Sequence, residues 1–195
     1  MASPIEIPNI RIITVSGRIA SGSTTLAEHL AKKLNWRHLE GGEIFWEALR
    51  EKLGLEVKDT NLRPDEEDLL FDKKLKQILT EEKSIVLETK LAGFNATGID
   101  DIFKILVVCE NEQGEDQKQI RIDRLVNREN ISVKKAKKEV IERERNDLSK
   151  WRRLYAKDDA NWAYWDKKYY DLVINTFNHN KDQTFHATIH ALGVS

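Results

Sequence analysis

Apolar residues fall along the chain in two rhythms: short continuous runs, and longer stretches in which they recur every three or four positions. This is the mark of buried strands separated by amphipathic helices. The first run, Arg11 to Ser16, carries Ile12, Ile13 and Val15 almost without interruption, which predicts a strand covered on both faces. From Thr24 to Leu34, one stripe holds Leu26, Ala27, Leu30, Ala31 and Leu34 and the other Glu28, His29, Lys32 and Lys33, which predicts a helix. Trp36 to Leu39 reads as a short strand and Gly41-Gly42 as a break. Glu43 to Leu53 is then a helix through Phe45, Leu49 and Leu53, ended by Gly54. A polar, turn-like stretch, Leu55 to Pro64, precedes a helix opened by Pro64 and its following acids and carried to Thr80 by Leu69, Leu70, Leu75, Ile78 and Leu79.

Ser84 to Glu88 and Phe103 to Cys109 are the next strands, with a loop containing Gly93 and Gly98 between them. A helix follows through Ile120, Ile122, Leu125 and Val126. Ser132 is placed to cap another that runs to Ser149, with Val133, Ala136, Val140, Ile141 and Leu148 as its apolar stripe. Asp171 to Asn175 is the last strand and Asp182 to Leu192 the closing helix. Strands alternating with helices at this spacing predict a three-layer α/β fold around a parallel five-stranded sheet. Ligands of such sheets lie beyond the carboxyl ends of the strands, so chemistry is expected among Gly17 to Thr25, Gly41 to Arg50 and Glu88 to Lys90.

The first of these segments has its own signature. Gly17, four residues, Gly22, then Ser23 and Thr24 opening a helix is the layout of a phosphate-binding loop, whose backbone N–H groups and helix dipole converge on one anion. The pattern G-x-x-x-x-G-K-[ST] is met at Gly17, Gly22 and Thr24, but Ser23 stands where the Lys belongs. Taken alone, the same residues also read as a Gly/Ser-rich turn before a helix capped by Ser21 or Ser23.

Composition narrows the partners. In 195 residues, Lys+Arg 32 against Asp+Glu 33 gives a net charge of -1, which calls for neither nucleic acid nor an anionic membrane. The lone Cys109, set in an apolar run, makes neither an intrachain disulfide nor a cysteine zinc site and reads as a small packed hydrophobe. No stretch reaches the roughly 20 apolar residues needed to span a bilayer, and Met1 to Asn9 lacks signal-peptide character. A cytoplasmic protein is the expectation.

Taken together, separated segments resemble one family. Ile12 to Gly17 with Ser21 to Thr25, Gly42-Glu-Ile-Phe45, Val86 to Phe94 and Tyr170 to Thr176 are similar, in the same order, to segments of the archaeal-type cytidylate kinases, which are P-loop nucleoside monophosphate kinases. In that family a Thr commonly stands at the place of Ser23, so the missing Lys is a family trait. The resemblance implies a three-layer P-loop NTPase fold over residues 1–195 as a single kinase domain, with a helical lid at about 128–160. It implies a monomer that transfers the γ-phosphoryl group of ATP, with Mg²⁺, to CMP or dCMP.

Roles then follow residue by residue. Gly17, Ser21, Gly22, Ser23, Thr24 and Thr25 would cradle the donor phosphates, with the Thr24 hydroxyl and, through water, Glu88 on the metal. Glu43 would sit at the acceptor wall, and Arg143 would neutralise the transferring phosphoryl group, with Lys90 beside it. Three positions depart from the family pattern. Trp46 replaces an Arg expected on the acceptor phosphate, leaving Arg50, one turn on, as the nearest substitute. Lys90 and Lys150 each replace an Arg and lose its bidentate fork.

These departures keep two rivals in play: a catalytically weak or inactive nucleotide-binding relative acting as a sensor or partner module, and a kinase for another small acceptor. The aromatic run from Trp151 to Tyr170 reads as a packed hinge, against a stacking platform for single-stranded nucleic acid. The Lys-rich face of residues 134–138 reads as solvated, with Arg145, Arg152 and Arg153 joining Arg143 as candidates for the closing surface.

Overall fold

The computed structural model describes residues 3–54 and 62–194. Most of the turn-like stretch expected before Pro64, residues 55–61, lies outside the described residues, as do positions 1, 2 and 195. Five parallel strands, β1 (Ile12–Gly17), β2 (Arg37–Glu40), β3 (Ile85–Glu88), β4 (Ile102–Val108) and β5 (Leu172–Asn175), form one sheet in the order β2-β3-β1-β4-β5. β1 is central because its side chains are apolar on both faces. Ile13 and Val15 enter a core with Leu26 and Leu30 of α1 (Ser23–Leu34) and Ile189 of α8 (Lys181–Ala191). Ile12 enters the opposite core with Leu75 and Leu79 of α3 (Asp65–Glu81) and Ala92 of α4 (Ala92–Asn95). Each such fully buried Ile, Val or Leu side chain contributes about 1.5–3 kcal/mol. The register sets Val15 beside both Glu88 and Ile105, so the ends of β1 and β3 open onto the same edge of the sheet.

Several expectations shift. Gly41 and Gly42 do not break the chain; they are the first residues of α2 (Gly41–Leu53), which Gly54 ends at φ 64 as anticipated. The loop after β3 contains the short α4, where a Cβ on Gly93 would lie 2.2 Å from the Tyr170 ring. On α3, Leu69 and Leu70 are 48% and 56% exposed, while Asp68 and Asp72 are buried in line with Leu75 and Leu79. The first turns of α3 face a charged cleft, so the buried side there takes acids that find partners.

After α5 (Lys118–Glu129), the expected long helix is three joined pieces: α6 (Val133–Lys137), a π-helical segment Lys138–Arg143 and α7 (Glu144–Tyr155). Ser132 caps it as anticipated, accepting from the Lys135 amide. The wider turn of the π segment changes the phase of the stripe. Val140 stays buried, Ile141 is 42% exposed, and Glu144, Asp147 and Lys150 turn inward. Trp151, Trp162 and Tyr164 are buried with Leu91 around Phe94 in edge-to-face contacts. Rings packed this way fasten the helical arm to the segment that follows β3, as expected of a packed hinge.

Candidate active site

The loop after β1 is shaped by backbone conformation. Ala20 (φ 60) and Gly22 (φ 111) are left-handed, and a Cβ on Gly17 would come 2.3 Å from the Ser21 hydroxyl. The Thr176 hydroxyl, which accepts from Arg124 at 2.8 Å, hydrogen-bonds the Ser21 carbonyl at 2.7 Å and pins the loop from behind. α1 is preceded by Gly22 with no side-chain cap, which corrects the expectation of Ser21 or Ser23 as cap and leaves the first N–H groups of the helix facing the cleft.

Arg18 in this loop bonds Glu144 and Asp116, and the fully buried Arg121 bonds the same two acids. Burial opposes the charge on Glu144, yet the two guanidiniums hold its carboxyl below the ordinary range. This cluster ties the arm to the loop.

Across the loop, the Ser23 hydroxyl donates to Glu88 at 2.9 Å. Burial pushes the Glu88 carboxyl up to about 7, outweighing that bond. A carboxyl so desolvated, with the Ser23 and Thr24 hydroxyls next to it, is suited to a divalent cation, which would favour its charged form. Among the described residues no three acidic, His or Cys side chains gather at metal-ligand spacing. A cation here would therefore rely on Glu88 and the Thr24 hydroxyl, with the rest of its ligands from outside the protein.

The far side of the cleft is a side-chain cluster. Asp147 accepts from Lys90 at 2.7 Å and lies 3.5 Å from Arg63 and 4.0 Å from Arg143. Burial opposes its charge, but these three cations hold its carboxyl at about 2. The guanidiniums of Arg63 and Arg143 stand 5.5 and 5.6 Å from the centre of the buried Trp46 ring. Asp68 takes Arg63 at 2.8 Å and Lys150 at 2.7 Å. Asp72, whose pKa burial raises, accepts from Asn95 and Tyr155.

Of the residues singled out in the sequence, Gly17, Gly22, Ser23, Thr24, Glu43, Glu88, Lys90 and Arg143 line this one cleft. Ser21 and Thr25 line an adjoining pocket on the other side of the loop, with His29, Arg124, Thr176 and His179. Arg50 is exposed and does not line the cleft, contrary to the expectation that it takes the place of position 46; α2 turns its own apolar face, Phe45, Trp46 and Leu49, inward. Arg145 is exposed, Arg152 bonds the Trp162 carbonyl and Arg153 pairs with Asp65, so only Arg143 of that group reaches the cleft. Sequence reasoning missed Arg63, Asp68, Asp72 and Asp147. A signal existed for Asp68 and Asp72, acids four apart on the line of Leu75 and Leu79; none existed for Arg63.

Over 184 residues the chain is 33% identical to a cytidylate kinase of Haloarcula marismortui, across 93% of this chain and 88% of that protein. The chain belongs to the cytidylate kinase family. A cytidylate kinase of Sulfurisphaera tokodaii is likewise 33% identical over 175 residues, 88% of this chain and 89% of that one. No family profile matches. Among solved structures, a shikimate kinase from Acinetobacter baumannii in complex with shikimate aligns at a TM-score of 0.54 and 16% identity, over 94% of each chain, a likeness of fold. As a member of the cytidylate kinase family, the chain is a nucleotide-binding phosphotransferase, a nucleoside monophosphate kinase. Among the described residues no helix is long and apolar enough to cross a membrane.

Proposed function

We propose that this cytidylate kinase family member transfers the γ-phosphoryl group of ATP to CMP or dCMP, giving ADP and the nucleoside diphosphate. The observation that carries the reading is one cleft with an uncapped, backbone-lined loop and Glu88 on one side and Lys90, Arg143 and Asp147 on the other. Phosphoryl transfer asks mainly for positioning and charge stabilisation, and this cleft has both.

Residues Gly17 to Thr24 hold the donor phosphates through backbone N–H groups, and the donor base lies in the adjoining pocket beside Arg124 and Thr25. Thr24 and Glu88 would hold Mg²⁺, which would supply positive charge to offset that of the phosphates. Glu43, in the first turn of α2, borders the acceptor. Arg143 and Lys90 meet the transferring phosphoryl group, taking the charge that a Lys at residue 23 would otherwise carry. Residues 1–195 act as one kinase domain, with the arm at about 128–160 as a lid over the cleft. The proposal places the reaction in the cytoplasm, where MgATP and nucleoside monophosphates meet, with the single chain as the active unit.

A second reading rests on Trp46, whose indole occupies the acceptor side: a kinase for a different ring-bearing acceptor. ADP release with MgATP and a panel of CMP, dCMP, UMP, AMP and GMP tests both. Stimulation by CMP or dCMP above the others is the expected result. Stimulation by another acceptor transfers the site to the second reading, and none by any, with ATP still bound, overturns the kinase proposal in favour of a nucleotide-binding module.

A further inference from the structure

Position 46 raises a question of charge. The acceptor phosphate is a dianion entering a largely desolvated cleft, and it needs a cation on the side away from the donor loop. α2 offers none there, because its inward face is Phe45, Trp46 and Leu49 and Arg50 points elsewhere. Two guanidiniums stand over the Trp46 ring, that of Arg143, assigned above to the transferring group, and that of Arg63, from the segment just before α3. Arg63 is 5% exposed and its guanidinium lies 5.4 Å from the Phe45 ring.

The fork of Arg63 is only partly committed. Its Nε donates to Asp68 at 2.8 Å, a full charge-assisted bond. Its Nη2 reaches Asp147 only at 3.5 Å, well beyond the roughly 2.7–2.9 Å of such bonds. Asp147 is shared with Lys90, which holds it at 2.7 Å, and with Arg143. One edge of Arg63 is thus positioned by Asp68 while the other faces the cleft beside the two cations assigned to the transferring group.

We propose that Arg63 binds the phosphate of the acceptor nucleoside monophosphate, replacing from α3's approach the cation that α2 lacks at Trp46. Asp68 orients the guanidinium, Trp46 and Phe45 support its flat face, and the phosphate takes the Nη2 edge. The inference rests on the nucleoside monophosphate kinase reading above. The duller role for Arg63, a buried counter-ion of Asp68, would make its loss a matter of stability alone.

The test compares equilibrium binding of CMP with that of cytidine, which lacks only the phosphate, in wild type, Arg63→Met and Arg63→Lys, with ATP binding as control. Wild type is expected to prefer CMP. Arg63→Met weakens CMP about 10- to 100-fold, the value of a lost charge-assisted hydrogen bond to a buried partner, while cytidine and ATP bind as before. Arg63→Lys keeps the charge and loses the fork, and falls between. An unchanged CMP-to-cytidine ratio in Arg63→Met overturns the inference; should that variant not fold, an unchanged ratio in Arg63→Lys overturns it. A wild type that binds CMP no better than cytidine overturns it together with the CMP reading. A wild type whose acceptor in the assay panel is another monophosphate overturns the CMP reading alone, and the same comparison with that monophosphate and its nucleoside then decides Arg63.

Discussion

The two sides of the cleft are built by different means. The side proposed for the donor is eight consecutive residues, Gly17 to Thr24, whose charge is mostly backbone dipole, shaped by left-handed Ala20 and Gly22. The side proposed for the acceptor is side chains from Trp46, Arg63, Lys90, Arg143 and Asp147, drawn from separate stretches of chain and meeting around one carboxylate and one indole. A contiguous backbone site loses one side chain, the Lys absent at residue 23, and keeps its geometry. A gathered site that loses one cation must draw another from elsewhere in the fold, and its charges have to be balanced among themselves until phosphate arrives.

The largest effect is expected where the sides meet. Glu88→Gln keeps the size of the side chain and an acceptor for Ser23 but removes the charge, so turnover should fall about 100- to 1,000-fold, several kcal/mol of transition-state stabilisation. Thermal melting should stay near wild type. Steady-state kinetics showing full MgATP-dependent turnover would remove Glu88 from the site.

Asp147→Asn probes the gathered side. Releasing three cations from one buried carboxylate should cost about 3 kcal/mol of stability and raise the KM for the acceptor more than that for ATP. The effect has a pH signature. The folded carboxyl sits at about 2, below the ordinary 3.8, so its stabilisation is complete above the unfolded value and is lost as pH falls through the folded one. That portion is about 2 kcal/mol. Denaturant unfolding should show a gap between wild type and variant that is constant from about pH 5 to 8 and narrows below about 4. A gap that does not narrow would mean the three cations do not hold Asp147 charged.

The smallest effect belongs to Arg50→Ala. Its side chain is exposed and outside the cleft, so stability should change by no more than about 0.5 kcal/mol and the acceptor KM not at all. A clear rise in that KM would restore Arg50 to the acceptor side and count against Arg63.

The donor side is legible in the sequence because its information is local: strand, loop and helix are adjacent in the chain, and the glycine spacing reports the turn directly. Glu88 and Lys90 are legible for a related reason, since the end of a parallel strand sets where its last residues point. Arg143 follows from family resemblance, and the π segment carries it to the cleft edge while turning Asp147 inward. The placement of Arg50 is not legible from sequence, because a helical turn puts it near residue 46 along the chain while α2 buries one side and leaves Arg50 exposed on the other. Leu69 and Leu70 mislead likewise: apolar residues on a helix read as its buried side, when Asp68 and Asp72 hold that side through pairing with Arg63, Lys150, Asn95 and Tyr155.

By itself the sequence determined the five-stranded parallel sheet, the phosphate loop and the edge on which chemistry sits, because apolar periodicity and glycine placement act over a few residues at a time. Only the tertiary structure decided which charges face one another: that Asp147 gathers Lys90, Arg143 and Arg63, and that Arg63 stands over Trp46. Desolvation and charge pairing depend on distances between segments far apart in the chain, and those distances exist only once the sheet and the arm have packed.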